Sequence, residues 1–307
     1  MKKQLLFLCF VFAVGMTLFQ SCKKEESTDP PKAGIFYSVA VKQVAFTALT
    51  KRAETWNWDF GDGESSTEMN PVHIYTDGGY YLVILTATDA SGRTAIDSAN
   101  LAVDLTPYVL LTGGPTAANG KTWKLSSAHS SKDAFANADN NFSVVAAVGT
   151  GVLGDLGIGL GWVYDDQYTF KFDGSYTHSP QHGGSFAGLV NTMIKGKTIL
   201  KATAASRPYG LCYTAYTPET GATFEYVESE NFAVRSVYGP EGVLTYNGVS
   251  TLDFSGTEFI GFLDNQRKVI VQEVTDNTMR LVMFMAAAPK YFPLNTHALI
   301  LTFEVVR

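Results

Sequence analysis

The sequence predicts an all-β protein made of two antiparallel sandwiches in series. Three observations predict it. Trp56, Trp58 and Phe60 alternate and run into the turn Gly61-Asp62-Gly63. Short alternating segments separated by turn residues recur through both halves of the chain. No amphipathic helix of about 12 or more residues stands out anywhere. The chain has 307 residues, 46% of them hydrophobic and 17% charged, which fits a globular protein of about two domains.

The elements follow in chain order. Residues 1–21 read as an export signal: Lys2 and Lys3 precede the 15-residue apolar run LLFLCFVFAVGMTLF. That run is shorter than the roughly 20 residues a spanning helix needs. Cys22 follows Ser21 at its end, and the arrangement resembles a bacterial lipobox, with Phe19 standing where a smaller residue is more usual. The resemblance implies lipid attachment at Cys22, and several acyl chains would anchor the protein stably. Residues 22–32, containing KKEESTDPPK, are expected to be a disordered tether. The charged residues after Cys22 also resemble the signal that places lipoproteins on the outer face of the outer membrane. Loss of Lys2 and Lys3 takes the formal net charge from −6 to −8, a balance that disfavours nucleic acid and anionic lipid. With Cys22 acylated, Cys212 has no cysteine partner.

In residues 33–104 the spacing by two puts Trp56, Trp58 and Phe60 on one strand face, with Asn57 and Asp59 on the other. Gly61-Asp62-Gly63 ends the strand, because glycine tolerates positive φ and the aspartate bonds turn amides. DFG alone suggests a kinase magnesium motif, and DFGDG a calcium loop at Asp59 and Asp62; the strand and turn flanks favour a structural role. PVHIY is a further strand, and Tyr81, Val83, Leu85 and Ala87 alternate along the next. WDFGDG, NPVHIY and GGYYLVILTATD, at these spacings, resemble a PKD domain, an immunoglobulin-like module. The resemblance implies a spacer or binding module on an extracytoplasmic protein.

Residues 105–120, rich in Pro, Gly and small residues, are expected to be a linker. Residues 121–307 are expected to form a larger antiparallel sandwich of jelly-roll or concanavalin-like type, with a lipocalin-like barrel as the alternative. About 185 residues can bury a substantial core. KTWKLSS, GVLTYNG, STLDFSG, EFIGFL and ALILTFEVV read as strands. QYTFKFDGSYTH is a hairpin turning at Asp-Gly, and KVIVQEVTDNTMRLVMFM is one turning at Asp276-Asn277. AFANADNNFSVVAAV, residues 134–148, is expected to be a short helix. TWKL, YDDQYTFKFDGSY, FSGTEFIGF and VIVQEVTDNTMRLVMF resemble C-terminal domains found beside PKD modules in lipoproteins of bacterial polysaccharide-utilisation systems. Some of those domains are similar to family 16 glycoside hydrolases.

Catalysis therefore needs weighing. A retaining glycosidase places two carboxyl groups about 5 Å apart. The nearest stretch is EYVESE, residues 225–230, whose Glu228 and Glu230 share a strand face but lack a central aspartate. A solvated strand edge is the simpler reading. No GxSxG, CxxC or HExxH pattern is present, GTGVLG lacks the strand–helix context of a nucleotide loop, and His178 and His182 flank a loop rather than a metal site. No catalytic residue, metal or cofactor is expected.

A sugar binder needs an exposed aromatic ring with planar polar groups beside it. Two loops supply them. GTGVLGDLGIGLGWVYDDQY carries Trp162, Tyr164, Asp165 and Asp166, and SRPYGLCYTAYTPE carries Arg207, Tyr209 and Tyr213. For Trp162 the competing role is a plug that closes the sandwich; for Asp165 and Asp166 it is loop support. His129, beyond the KTWKL strand, is a further polar candidate. The expectation is a non-catalytic, lipid-anchored polysaccharide-binding protein of the outer membrane, facing the exterior. Its expected partners are a polysaccharide or oligosaccharide, an outer-membrane importer and companion lipoproteins. The alternatives are a divergent glycoside hydrolase and a protein-binding adhesion module.

Overall fold

The computed structural model describes residues 29–307. The expected signal segment, Cys22 and the first part of the tether lie outside the described residues. Residues 29–32 are attached to the first sandwich: Asp29 pairs with Arg52 at 2.7 Å and Lys32 bridges Lys51.

The strands in chain order are β1 (Ile35–Ala40), β2 (Gln43–Ala48), β3 (Thr55–Asp59), β4 (Ser65–Ser66), β5 (Val72–Ile74), β6 (Gly79–Thr88) and β7 (Thr94–Val103). There follow helix α1 (Pro107–Thr112), β8 (Lys121–Leu125), β9 (Ala134–Asn137), β10 (Val144–Ala147), β11 (Gln167–Phe170), β12 (Tyr176–Ser179) and β13 (Gly184–Gly188). Helix α2 (Leu189–Ile194) then precedes β14 (Ile199–Lys201), β15 (Leu211–Ala215), β16 (Phe224–Arg235), β17 (Val243–Phe254), β18 (Val269–Val274), β19 (Thr278–Met285) and β20 (His297–Val305).

The first sandwich packs the sheet β1-β2-β5 on the sheet β4-β3-β6-β7. The alternation read from the sequence holds. Trp58, Phe60, Tyr81, Val83 and Leu85 are buried in one core with Phe46 and Tyr75, and Trp56 packs half-buried at its margin. Gly61 and Gly63 take positive φ, and Asp59 accepts from the Gly61 amide at 2.9 Å. Asp62 accepts from the Glu64 amide and meets His73 Nε2 at 2.7 Å, so both acids of the DFGDG turn serve the turn itself.

The expected linker is not all linker. Thr106 caps α1 by accepting from Val109 N, and Gly113 closes it with a positive φ. Leu111 joins the core of the larger unit, and its carbonyl accepts from the buried Trp123 indole at 2.9 Å. Tyr108 stacks on Phe224 and packs against Phe172. Residues 107–112 are thus part of the second sandwich.

That sandwich is built on one long curled antiparallel sheet, in the order β12-β11-β8-β20-β19-β18-β17-β16, with β9 also pairing β20 and β10. Its two ends touch only at a single bridge, Ser175 to Thr223, so no continuous ladder closes a barrel. The three-stranded sheet β13-β15-β14 faces it. Between them lie Trp123, Tyr168, Phe170, Phe186, Tyr213, Leu281 and Phe303. A second cluster, including Phe232, Tyr246, Val282 and Phe284, covers the other face of the long sheet. This explains the unbroken apolar run of β19: Leu281 and Met283 enter one core, Val282 and Phe284 the other.

Three sequence expectations change here. Residues 134–147 form the β9–β10 hairpin instead of a helix, because Asp139 accepts from the Asn141 and Ser143 amides to set a turn and β20 offers β9 a partner. EFIGFL is a buried irregular segment: Phe259, Ile260 and Phe262 are core residues, but only Leu263 makes a bridge, to Ala187. GVLTYNG and STLDFSG are one strand, β17, which continues through Gly248 at positive φ opposite a bulge in β16.

Candidate functional site

The two aromatic loops are held in different ways. Trp162 sits in a 3-10 turn, Gly161–Tyr164, and its side chain is half-buried. His182 stacks on the indole with ring centres 4.8 Å apart and 13° between planes. Tyr213 meets it at a steep angle, 5.6 Å away, and the Lys201 ammonium lies 4.9 Å from the ring centre. Lys201 is itself fixed by Asp155 at 2.7 Å. The indole already has a ring partner, an edge partner and a cation, so Trp162 closes the sandwich end and is not a free sugar platform. His182 pairs with Asp165 at 2.7 Å.

Several other sequence candidates lie beneath the surface. Asp166 is fully buried and accepts from Tyr213 Oη at 2.7 Å, Ser185 Oγ at 3.0 Å and the Gln181 amide at 3.2 Å. Burial pushes its carboxyl above the ordinary value, against the hydrogen bonds that favour the anion. Tyr213 is fully buried as well. His129 bridges Asp133 and Tyr164 Oη, at 2.9 Å each. Asp133 also accepts from the Thr302 amide and hydroxyl. Burial pushes Asp133 upward, but the bonds from His129 and Thr302 outweigh it and hold the carboxyl below its usual range. Burial pushes the Tyr164 phenol up to about 12. Asp166, Tyr213 and His129 therefore brace the scaffold and cannot touch a ligand. A shallow polar groove of about 390 Å³ does open beside this cluster, lined by Lys124, Tyr164, Asp165, Gln167, Gln181 and His182.

Arg207 and Tyr209 occupy a different place. They form the 3-10 turn Arg207–Tyr209, which Gly210 ends at positive φ. Ser206 and Thr203 fix its entry: Ser206 Oγ accepts from the Thr203 amide, and Thr203 Oγ1 accepts from the Ser206 amide, both at 2.9 Å. Tyr209 is 44% exposed. With Phe135, Leu189 and His297 it lines a second open groove of about 390 Å³. Tyr209 and Phe135 meet at a steep angle with ring centres 6.2 Å apart, and His297 stacks on Phe135 at 4.8 Å. Thr296 Oγ1 lies 2.9 Å from His297 Nδ1, and burial lowers the pKa of the imidazole. His297 and Phe135 were not candidates in the sequence. They come from β20 and β9, whose pairing places His297 opposite Asn137, and no local motif marks them.

The acidic stretch in β16 does not resemble a catalytic pair. Register shifts between Val227 and Phe232 leave Glu228 in a bulge without a register partner, while Glu230 is in register with Val249. Glu228 is exposed, whereas Glu230 pairs with Lys268 at 2.5 Å and bonds Thr251 Oγ1. The hydrogen bond from Lys268 holds the Glu230 carboxyl below its ordinary value, the opposite of what a general acid requires. Among the described residues no group of three or more His, Cys, Asp or Glu side chains is placed to hold a metal ion. No helix among them is long and apolar enough to cross a membrane.

Comparison with known proteins gives the first sandwich a family. The PKD domain family matches residues 32–103. The chain is 31% identical over 112 residues to collagenase ColQ1 of Bacillus cereus (strain Q1), which covers 34% of this chain and 11% of that protein. The chain therefore spans about a tenth of the length of this curated relative. The PKD1 domain of the Vibrio cholerae metalloprotease PrtV is 31% identical, with a TM-score of 0.24, covering 25% of this chain and 99% of that domain. A structure described as carbohydrate-binding modules from the beta-sandwich superfamily is 14% identical over 92% of this chain and 94% of that one, with a TM-score of 0.26.

Proposed function

We propose that this chain, whose residues 32–103 belong to the PKD domain family, is a non-catalytic polysaccharide-binding lipoprotein. In this reading Cys22 carries the lipid, the PKD domain is a spacer, and the larger sandwich captures glycan at the outer face of the outer membrane for an importer and its companion lipoproteins. The observation that carries the reading is the groove of Tyr209, Arg207 and His297: an exposed ring on a braced turn, with planar polar groups beside it and room for one or two sugar units. A single shallow site of this kind gives micromolar to millimolar affinity, raised by clustering on a surface.

The test is affinity gel electrophoresis of the full chain, held in detergent, through a panel of soluble polysaccharides, with reducing ends assayed on the same samples. Retardation without new reducing ends supports the proposal. Release of reducing ends overturns it. A second reading, a protein-binding adhesion module, is favoured by the exposed Phe36, Val72 and Ile74 on the outer face of β1-β2-β5. Capture of a protein partner, lost with Ile74→Asp and indifferent to every glycan in the panel, would establish it.

A further inference from the structure

The two grooves differ in how their charges are satisfied. In the groove beside Trp162, Asp165 pairs with His182 and Lys124 lies 3.4 Å from Glu304. Elsewhere Lys201, Lys268 and Arg280 each have a carboxylate within 2.8 Å. Arg207, like other exposed basic side chains such as Arg235, has no such partner, but it alone of them lines the Tyr209 groove. Its guanidinium is exposed and makes no hydrogen bond or ion pair among the described residues, and the groove it lines contains no carboxylate. In a chain with 29 acidic and 23 basic residues, that leaves one permanent positive charge over an otherwise neutral, largely apolar cleft.

We infer that the groove takes an acidic glycan, one whose sugar units carry carboxylate or sulfate groups, and that Arg207 is the residue that reads the charge. The inference rests on the glycan-binding reading above and narrows it. Guanidinium presents a planar fork of donors that matches a carboxylate or sulfate edge with two parallel bonds. Its backbone is held in place beforehand by the reciprocal Thr203–Ser206 bonds and by the Gly210 carbonyl, which accepts from the Leu189 amide at 2.7 Å. Little ordering of the turn remains to be done on binding. Tyr209 lies two residues away on the same turn and offers a ring face to the sugar carrying the anion. His297 stays neutral above its lowered pKa, so Arg207 supplies the charge recognition and the imidazole Nε2 is left for a hydroxyl. The net negative charge of the protein does not oppose this at contact range, because repulsion from distant carboxylates is screened over roughly 8–10 Å at physiological salt.

The experiment compares matched polymers on the full chain in detergent: polygalacturonate against its methyl ester, and a sulfated galactan against its desulfated form, by affinity electrophoresis at fixed ionic strength. The expected result is retention by an acidic polymer and weak or no retention by its neutral counterpart. Arg207→Gln should lower that affinity roughly tenfold, and Arg207→Lys should recover part of it, since lysine keeps the charge without the fork. Because the side chain is exposed and unpaired, both variants should keep the parent circular dichroism spectrum. Retention by polygalacturonate alone identifies a carboxylate reader, and retention by the sulfated galactan alone a sulfate reader. Equal retention by neutral and acidic forms, unchanged in Arg207→Gln, overturns the inference and leaves glycan binding standing. Failure of every charged and neutral glycan to retard the chain overturns both.

Discussion

Trp162 and Tyr209 stand in loops that look alike in sequence, each an aromatic beside glycine or proline and near polar residues. In the fold they have opposite fates. The indole is covered by His182, Tyr213 and Lys201, whereas Tyr209 is 44% exposed and lines an open groove. The difference lies in what arrives from elsewhere in the chain. Strand β15 and the loop after β12 converge on Trp162, while Tyr209 has a single ring neighbour, Phe135, at a steep angle and 6.2 Å. An aromatic in a flexible-looking loop is therefore a ligand platform only if the fold brings no second layer over it.

That contrast can be broken most forcefully from beneath Trp162. Asp166→Ala removes the acceptor for Tyr213, Ser185 and the Gln181 amide in a site without solvent. Leaving these donors unsatisfied should cost about 3 kcal/mol of stability. Urea denaturation followed by tryptophan fluorescence reads it. A loss below about 0.5 kcal/mol would mean that the bracing under Trp162 is not structural.

Trp162→Ala comes next. A fully buried tryptophan costs about 3–5 kcal/mol on truncation, and a half-buried one should cost about 2. The folded fraction should bind glycan with its affinity changed less than twofold. A large affinity loss at unchanged stability would reverse the roles given to the two loops.

Why the sequence separated these roles incompletely is visible residue by residue. Period-two alternation made the Trp56–Phe60 strand and the β18–β19 hairpin legible, because one strand face is a local property. Alanine-rich residues 134–148 suggested a helix, but strand pairing with β20 overrode local propensity. EFIGFL reads as a strand from its apolar, aromatic composition, yet its apolar side chains fill space in an irregular path. Of the residues lining the candidate groove, Arg207 and Tyr209 stand in a loop that its Pro and Gly residues mark in the sequence. His297 lies 88 positions beyond Tyr209, and only the β9–β20 pairing brings it to the groove, so no window of sequence contains the signal. Asp166 and Asp165 are adjacent and chemically identical, and burial alone makes one a brace and the other a groove residue.

On the exposed side of the comparison, Tyr209→Ala should leave stability within about 0.5 kcal/mol and weaken glycan binding roughly tenfold. Tyr209→Phe should keep most of the affinity, because in the proposed binding mode the ring face and not the hydroxyl meets the sugar. Isothermal titration with the glycan that retards the parent protein distinguishes them. Equal affinity in Tyr209→Ala and the parent would remove this groove from the site.

The smallest expected effect concerns pH. Burial lowers the pKa of His297, so between pH 8 and its ordinary value of 6.5 the neutral imidazole is the major form in the folded protein. Arg207 stays protonated throughout that range. The charge of Arg207 is constant and that of His297 changes little, so affinity for a glycan whose own acids are fully ionised should vary less than twofold between pH 8 and 6.5. The linkage to stability has the matching sign. A histidine with a lowered folded pKa disfavours the protonated folded state, so its contribution is present above the unfolded pKa and is lost as pH falls through that value towards the folded one. Acidification should thus weaken the groove by loosening β20 around His297, not by charging the ligand surface. His297→Gln, which cannot titrate, should flatten the stability profile below pH 6.5 while leaving the binding profile above it unchanged. If binding instead strengthens steeply between pH 8 and 6.5 and His297→Gln abolishes that rise, the imidazole is a cationic partner of the ligand, and charge recognition would have to be shared between His297 and Arg207.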